Sequence, residues 1–353
     1  MKISLICFSR AGEMTGRLLT KALSAEHQAE LYCKSRNTSF TIAESLNTWT
    51  GMQFREADAI VFISSCGIAV RAVAPFLDSK EEDPAVVVVD EKGTFAISLL
   101  SGHLGGANDL AREIGQITSA LPVITTATDV NNLMAPDTFA KRNDCVIDDI
   151  KAAGRVAAAI LSGETVHIYT DMKMAETPPD YVRVHRLGDL ENEEHIPGTC
   201  RIVISPYVKH RTDDPDTMWI IPKINYIGIG CRRGTEERKI GEAVRGALKE
   251  LGIDGRSLKK AGSIDLKADE AGLTALCREA GLELSFFTED QLMEAKGNFT
   301  KSDFVKKVTG VESVCERSAI AASGYKGELI MSKKVFDRVT VAIAKKEGKL
   351  RFE

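Results

Sequence analysis

The sequence predicts an α/β protein. N-terminal and C-terminal α/β domains with mainly parallel sheets are joined by a smaller α+β middle domain. Three observations support this. Short continuous apolar runs alternate with helically spaced segments in the first and last thirds, the pattern of strands buried on both faces. The middle is instead broken by turn clusters such as Thr177-Pro178-Pro179-Asp180 and Thr212-Asp213-Asp214-Pro215-Asp216. The length, 353 residues, suits two or three domains at roughly 100–200 residues each. The domains are expected at 1–135, 136–222 and 223–353.

In the first domain, Ile3–Phe8, Ala57–Ser64, Ala85–Val89, Phe95–Leu99 and Val123–Thr125 read as strands, and Met14–Leu23, Ile68–Phe76 and Ala107–Ile117 as helices. Only Asp90-Glu91-Lys92-Gly93-Thr94 separates the third and fourth strands, which predicts a hairpin at a sheet edge. The middle domain offers a helix at Ile150–Leu161 and strands at Thr165–Tyr169, Tyr181–Arg186, Arg201–Ile204 and Met218–Ile221. The last domain opens with a strand at Asn225–Ile229. Thr235 is placed to cap a helix with Glu236 and Glu237 in its first turn. Ile240, Ala243, Val244, Ala247, Leu248 and Leu251 form its apolar face, and Gly252 stops it. Strands at Ser263–Leu266, Leu282–Phe286 and Arg338–Ala344 and helices at Glu270–Ala280 and Ser302–Val308 complete the reading.

A net charge of −4 argues against a dedicated nucleic-acid binder. No apolar run approaches the ~20 residues needed to cross a bilayer, and the short apolar start lacks a cleavage site, so a cytoplasmic protein is expected. The eight cysteines form no C-x-x-C pair and the six histidines no H-E-x-x-H pattern, so reduced thiols and no protein-bound metal are expected.

Two segments can carry chemistry. In Leu99-Leu100-Ser101-Gly102-His103-Leu104-Gly105-Gly106-Ala107-Asn108-Asp109, a strand passes to a helix through glycines that let backbone N–H groups approach a ligand. His103 in that turn suits proton transfer near neutral pH; alternatively it merely caps a helix. A similar turn, Ser64-Ser65-Cys66-Gly67-Ile68-Ala69-Val70-Arg71, places Cys66 where a helix N-terminus can lower a thiol pKa, although a buried or inert Cys is the more common outcome for such a residue. The second segment is Ile227-Gly228-Ile229-Gly230-Cys231-Arg232-Arg233-Gly234-Thr235. Its glycine spacing is one residue longer than the dinucleotide fingerprint. Its two arginines suit a carboxylate or phosphate ligand, or are solvated turn charges. Asp265-Leu266-Lys267-Ala268-Asp269-Glu270 can line the same crevice or form an acidic helix start.

Together these segments resemble the cobalt-precorrin-5A hydrolase family of anaerobic cobalamin biosynthesis. The resemblance runs through Cys66–Arg71, Pro75, Lys80, Asp83–Val86, Leu99–Asp109, Pro122–Asp129, Gly228–Thr235, Ile264–Glu270 and Val308–Glu316. It covers nearly the whole chain and is thinnest between about Lys141 and Pro222. It implies a cobalt corrinoid substrate whose ring A acetate δ-lactone is opened by water. The two-carbon bridge fragment then leaves as acetaldehyde, giving cobalt-precorrin-5B. It also implies that cobalt arrives with the substrate and that the protein needs no cofactor.

Residue chemistry then assigns roles. His103 activates water, and the N–H groups of Gly105 and Gly106 stabilise the oxyanion. Arg71, Arg232 and Arg233 hold corrinoid carboxylates, and Lys80 and Asp129 are weaker additions to the substrate site. Cys66, Gly67, Ser101, Asn108, Gly230, Thr235 and Lys267 line the substrate site, with water rather than Cys66 as nucleophile. A cleft between the first and last domains is the expected location. A corrinoid carrier without chemistry and a nucleotide-dependent enzyme are the competing readings. A homodimer, and exchange of the intermediate with other cobalamin-biosynthesis enzymes, are both compatible with the sequence; nucleic-acid and membrane partners are not expected.

Overall fold

The computed structural model describes residues 1–35, 41–79, 82–191 and 199–352. The chain divides into two compact units between Thr138 and Phe139.

The first unit runs β1 (Lys2–Cys7), α1 (Arg10–Leu23), β2 (Gln28–Cys33), α2 (Leu46–Glu56), β3 (Ala59–Ile63), α3 (Cys66–Val73), β4 (Ala85–Val89), β5 (Phe95–Leu100), α4 (Ala107–Thr118), β6 (Leu121–Val123) and α5 (Ala127–Val130). Its sheet has the order β2-β1-β3-β4-β5-β6. Alternate residues of the central strands face two cores. Leu5, Val61, Ile63 and Val87 pack with Leu19 of α1 and Ile114 of α4. Ile6, Ile60, Phe62 and Val88 pack with Trp49 of α2 and Val73 of α3. Coverage on both faces explains why β3 and β4 are unbroken apolar runs.

Every pairing in this sheet is parallel except β4 with β5. The expected hairpin is therefore present but does not form an edge, because β6 pairs with the far side of β5. The reversal has a consequence for the site. Val86 pairs with Leu100, and Val89 pairs with both Ile63 and Ala96. The turn after β5 and the turn after β3 thus lie at opposite ends of the sheet. The strand expected at Val123–Thr125 ends at Val123, freeing the next residues to turn into α5.

A further helix, α6 (Pro136–Arg142), leads into the second unit. There β7 (Cys145–Ile147), α7 (Ile150–Leu161), β8 (Val166–Tyr169), β9 (Lys173–Met174), β10 (Val182–His185), β11 (Arg201–Ile204) and β12 (Thr217–Pro222) follow. They form a sheet of order β10-β8-β11-β12-β7 in which only the β12–β7 pairing is antiparallel.

The chain continues through β13 (Asn225–Cys231), α8 (Glu237–Leu251), β14 (Leu258–Ile264), α9 (Ala271–Glu279), β15 (Glu283–Phe287), α10 (Glu289–Glu294), α11 (Asp303–Thr309), α12 (Val314–Ala322), β16 (Glu328–Phe336), β17 (Val339–Lys345) and β18 (Lys349–Leu350). The sheet order is β15-β14-β13-β17-β16, parallel across β15, β14 and β13 and antiparallel across β13, β17 and β16. β18 returns to pair with β9.

Helix α12 is buried along its length, including Glu316, whose carboxylate accepts Thr300 N–H at 2.7 Å, Thr300 Oγ1 at 2.9 Å and Lys333 N–H at 2.8 Å. It lies on glycines: a Cβ at Gly228 would fall 1.7 Å from the Cys315 carbonyl oxygen, and one at Gly262 2.6 Å from that of Ser318. Gly228 is therefore a packing residue.

Two local expectations change. Thr235 does not cap α8. It is buried, its hydroxyl donates to Arg232 O at 2.6 Å, and Glu236 takes the cap position. The strand expected at Ser263–Leu266 is the end of β14, and Asp265–Lys267 forms a 3₁₀ turn. Gly252 does stop α8, in the left-handed conformation at φ 63°. No helix among the described residues is long and apolar enough to cross a membrane.

Candidate active site

The site sits past the carboxyl ends of β5 and β6, which point the same way and are linked by α4. Ser101 leaves β5 at φ 54°, and Gly106 enters α4 at φ 89°. Ala107 N–H donates to Ser101 O at 3.1 Å and Asn108 N–H to Gly102 O at 3.0 Å, closing the turn that presents His103. There is no room for a side chain at Gly105, where a Cβ would lie 2.5 Å from the Ser101 Cβ. After β6, Thr126, Thr128 and Asp129 come from the start of α5, and Asp137 from the first turn of α6.

These segments converge on the His103 ring. Nε2 meets Asp129 Oδ2 at 2.8 Å, with Thr128 Oγ1 at 3.2 Å. Nδ1 faces Asp137 Oδ1 at 3.3 Å. Asp129 is held from α4 by two residues one turn apart. Asn108 Nδ2 donates to its Oδ2 at 2.9 Å, and Arg112 Nη2 donates to its Oδ1. The i, i+4 spacing puts both on one helix face. Asn108 is itself buried and satisfied, accepting from Ser98 Oγ at 2.7 Å and donating to Thr126 Oγ1 at 3.1 Å. The side chains of His103, Asp129 and Asp137 are 17%, 20% and 21% exposed, so a ligand can reach a site largely shielded from water.

The electrostatics follow. Asp137, then Asp129, raise the His103 pKa against the opposing effect of burial. Burial alone would push both carboxyls up, but Arg112 and His103 hold Asp129 below the usual range, and His103 does the same for Asp137. His103 thus lies between two carboxylates that favour its cationic form.

This revises several expected roles. A carboxylate faces each ring nitrogen of His103, and the cationic form they favour has no lone pair left to accept a proton. The Gly106 N–H is used within the turn, donating to His103 O at 3.1 Å. The Gly105 N–H has no partner among the described residues and stays available as an oxyanion donor. Asn108 positions Asp129; it is buried and both of its amide hydrogens are already donated. The Ser101 hydroxyl is buried without a partner among the described residues. Cys66 and Gly67 lie beyond β3, at the other end of the sheet, about 15 Å away by the roughly 3.3 Å rise per residue of the five-residue β4. Arg71 donates to Gly67 O at 2.9 Å, on its own helix. Lys80 lies outside the described residues.

The second Gly-rich turn is neutralised internally. Glu270 is buried and accepts Gly234 N–H at 2.9 Å and Lys267 Nζ at 3.1 Å. Arg233 pairs with Asp269 at 2.7 Å in the open. Gly230 is within β13, its carbonyl accepting Thr340 Oγ1 at 3.3 Å, and is not a turn residue. Arg232 remains exposed, and its side chain has no partner among the described residues.

Comparison with known proteins matches three consecutive family models. These are the N-terminal region of cobalamin synthesis G over residues 48–129, the cobalamin biosynthesis central region over 134–222, and the cobalamin synthesis G C-terminus over 225–344. A cobalt-precorrin-5A hydrolase of Salmonella typhimurium is 35% identical over 263 residues, 74% of this chain and 75% of that protein. The chain belongs to the cobalt-precorrin-5A hydrolase family. A member from Priestia megaterium is 32% identical over 314 residues, 82% of this chain and 79% of that one. Protein CobE of a Sinorhizobium species is 28% identical over 119 residues, 33% of this chain and 77% of its own. Within this hydrolase family chain, His103 and Asp129 fall in the N-terminal match and Asp137 in the central one.

Sequence reasoning singles out His103 for proton transfer and Asp129 as a substrate contact, but it neither pairs the two nor names Thr128, Arg112 or Asp137, which the structure places with them. Arg112 was signalled by its spacing from Asn108. Asp137 carried no signal beyond an ordinary Pro-Asp helix start.

Proposed function

We propose that this chain opens the δ-lactone of cobalt-precorrin-5A and releases acetaldehyde through acid–base chemistry centred on His103. The observation that carries the reading is the asymmetric hold on the ring. Nε2 is fixed at 2.8 Å by Asp129, whereas the 3.3 Å contact at Nδ1 is long for an N–H···O bond. Asp129 sets ring orientation and keeps Nε2 protonated, leaving Nδ1 to exchange a proton with substrate.

As the lactone opens, the Nδ1 proton goes to the departing alkoxide and makes it a hydroxyl. His103 is then neutral and can accept that hydroxyl proton as the adjacent C–C bond breaks and acetaldehyde departs. One histidine thus serves as acid in the first step and base in the second. The Gly105 N–H stabilises the lactone oxyanion. Arg232 suits a corrinoid carboxylate, with Arg233 contributing less because Asp269 already offsets it.

The test is to incubate the purified chain with cobalt-precorrin-5A and trap the volatile product. Acetaldehyde in amounts matching substrate loss supports the hydrolase. Tight binding with no acetaldehyde makes the chain a carrier instead.

A further inference from the structure

We infer that Asp137 is a second catalytic residue, whose free carboxylate oxygen takes the proton of the attacking water and later returns it to the macrocycle carbon that loses acetaldehyde. The inference rests on the reaction proposed above.

The two carboxylates on His103 are not equivalent. Both oxygens of Asp129 are engaged, Oδ1 by Arg112 and Oδ2 by His103 and Asn108. Asp137 receives Thr138 N–H at 2.8 Å and His103 Nδ1 at 3.3 Å, both on Oδ1. Among the described residues this leaves Oδ2 for a ligand, beside the ring nitrogen that exchanges protons. With its side chain 21% exposed, Asp137 can meet a water molecule without being bathed in solvent.

The proton count closes. In lactone opening, water adds hydroxide to the carbonyl and its proton goes to Asp137, while His103 Nδ1–H protonates the alkoxide. In cleavage, neutral His103 takes the hydroxyl proton and a C=O bond forms. The electron pair of the C–C bond passes to the macrocycle, and Asp137 protonates that carbon. One water is consumed, one acetaldehyde leaves, and both side chains return to their starting states. The pair is also coupled in the useful direction. Asp137 is held acidic by the His103 cation, so its proton affinity rises when His103 gives its proton away.

The experiment compares wild type, Asp137→Asn and Asp137→Ala on cobalt-precorrin-5A. The expected result is an Asn variant with unchanged melting temperature, kcat for acetaldehyde release down ~10²–10⁴-fold, and KM little changed. Added formate should partly restore the Ala variant in proportion to its concentration, supplying the missing proton acceptor even if the Asn variant folds poorly. An active wild type with an equally active Asn variant overturns the Asp137 role alone, as does a loss confined to KM or an Ala variant indifferent to formate. A wild type that releases no acetaldehyde overturns the underlying reaction and this role with it.

Discussion

The Asp129 carboxylate meets His103 Nε2 at 2.8 Å although 26 residues separate the two in sequence. The contact exists because β5 and β6 are parallel neighbours, so the turns that follow them emerge side by side. It orients a turn histidine and favours its cationic form.

Replacing His103 with Ala is expected to lower kcat by about 10²–10⁴-fold with a much smaller effect on substrate affinity. Steady-state acetaldehyde release, with Kd from the corrinoid absorbance, checks it. A folded variant turning over at the wild-type rate would remove His103 from the chemistry.

Asp129→Asn should lower the His103 pKa, because one of the two carboxylates holding the imidazolium is lost. Titration of the His103 ring proton by NMR reads this directly. An unchanged midpoint would mean that Asp137 alone sets the charge.

Stability should vary with pH in a defined window. The His103 pKa is raised above its usual 6.5, so its contribution is full below that value and is lost as pH rises through the folded-state pKa. Asp129 and Asp137 are lowered from 3.8, so theirs is full above that value and lost as pH falls through their folded-state pKa values. Urea unfolding across pH should show the alkaline decline flattened in His103→Ala. Parallel curves for the two proteins would contradict it.

Gly228→Ala should be strongly destabilising, because its Cβ would meet backbone 1.7 Å away at Cys315 and either α12 or β13 must move. Overpacking typically costs about 1–3 kcal/mol, and a clash with backbone should reach at least the top of that range. A urea midpoint close to wild type would show that α12 shifts freely.

Cys66→Ser should keep most activity, since the thiol is at the opposite end of the sheet from His103. Arg232→Ala should weaken corrinoid binding by the roughly 1.5–3 kcal/mol of a charge-assisted hydrogen bond, and Arg233→Ala by under about 1 kcal/mol, as for exposed ion pairs. A substrate–Cys66 thioester seen by mass spectrometry, or equal binding losses for the two arginines, would reverse these assignments.

The fold class, most of the strands and the tight turn around His103 were legible in the sequence. Those features are local: apolar runs for strands covered on both faces, helical spacing for amphipathic helices, and glycines where the backbone must turn tightly. The sequence did not reveal α12, because a helix buried all round has no polar face to create a period. Nor did it reveal β2, an edge strand whose Gln28–Cys33 segment is only partly apolar. The partners of the His103 ring are instead set by tertiary structure, since Asp129 and Asp137 come from separate helices. The antiparallel step between β4 and β5 sends the Cys66 turn to the far end of the sheet. The parallel pairing of β5 with β6 brings the start of α5 and its Asp129 to the ring, and Asp137 joins from α6.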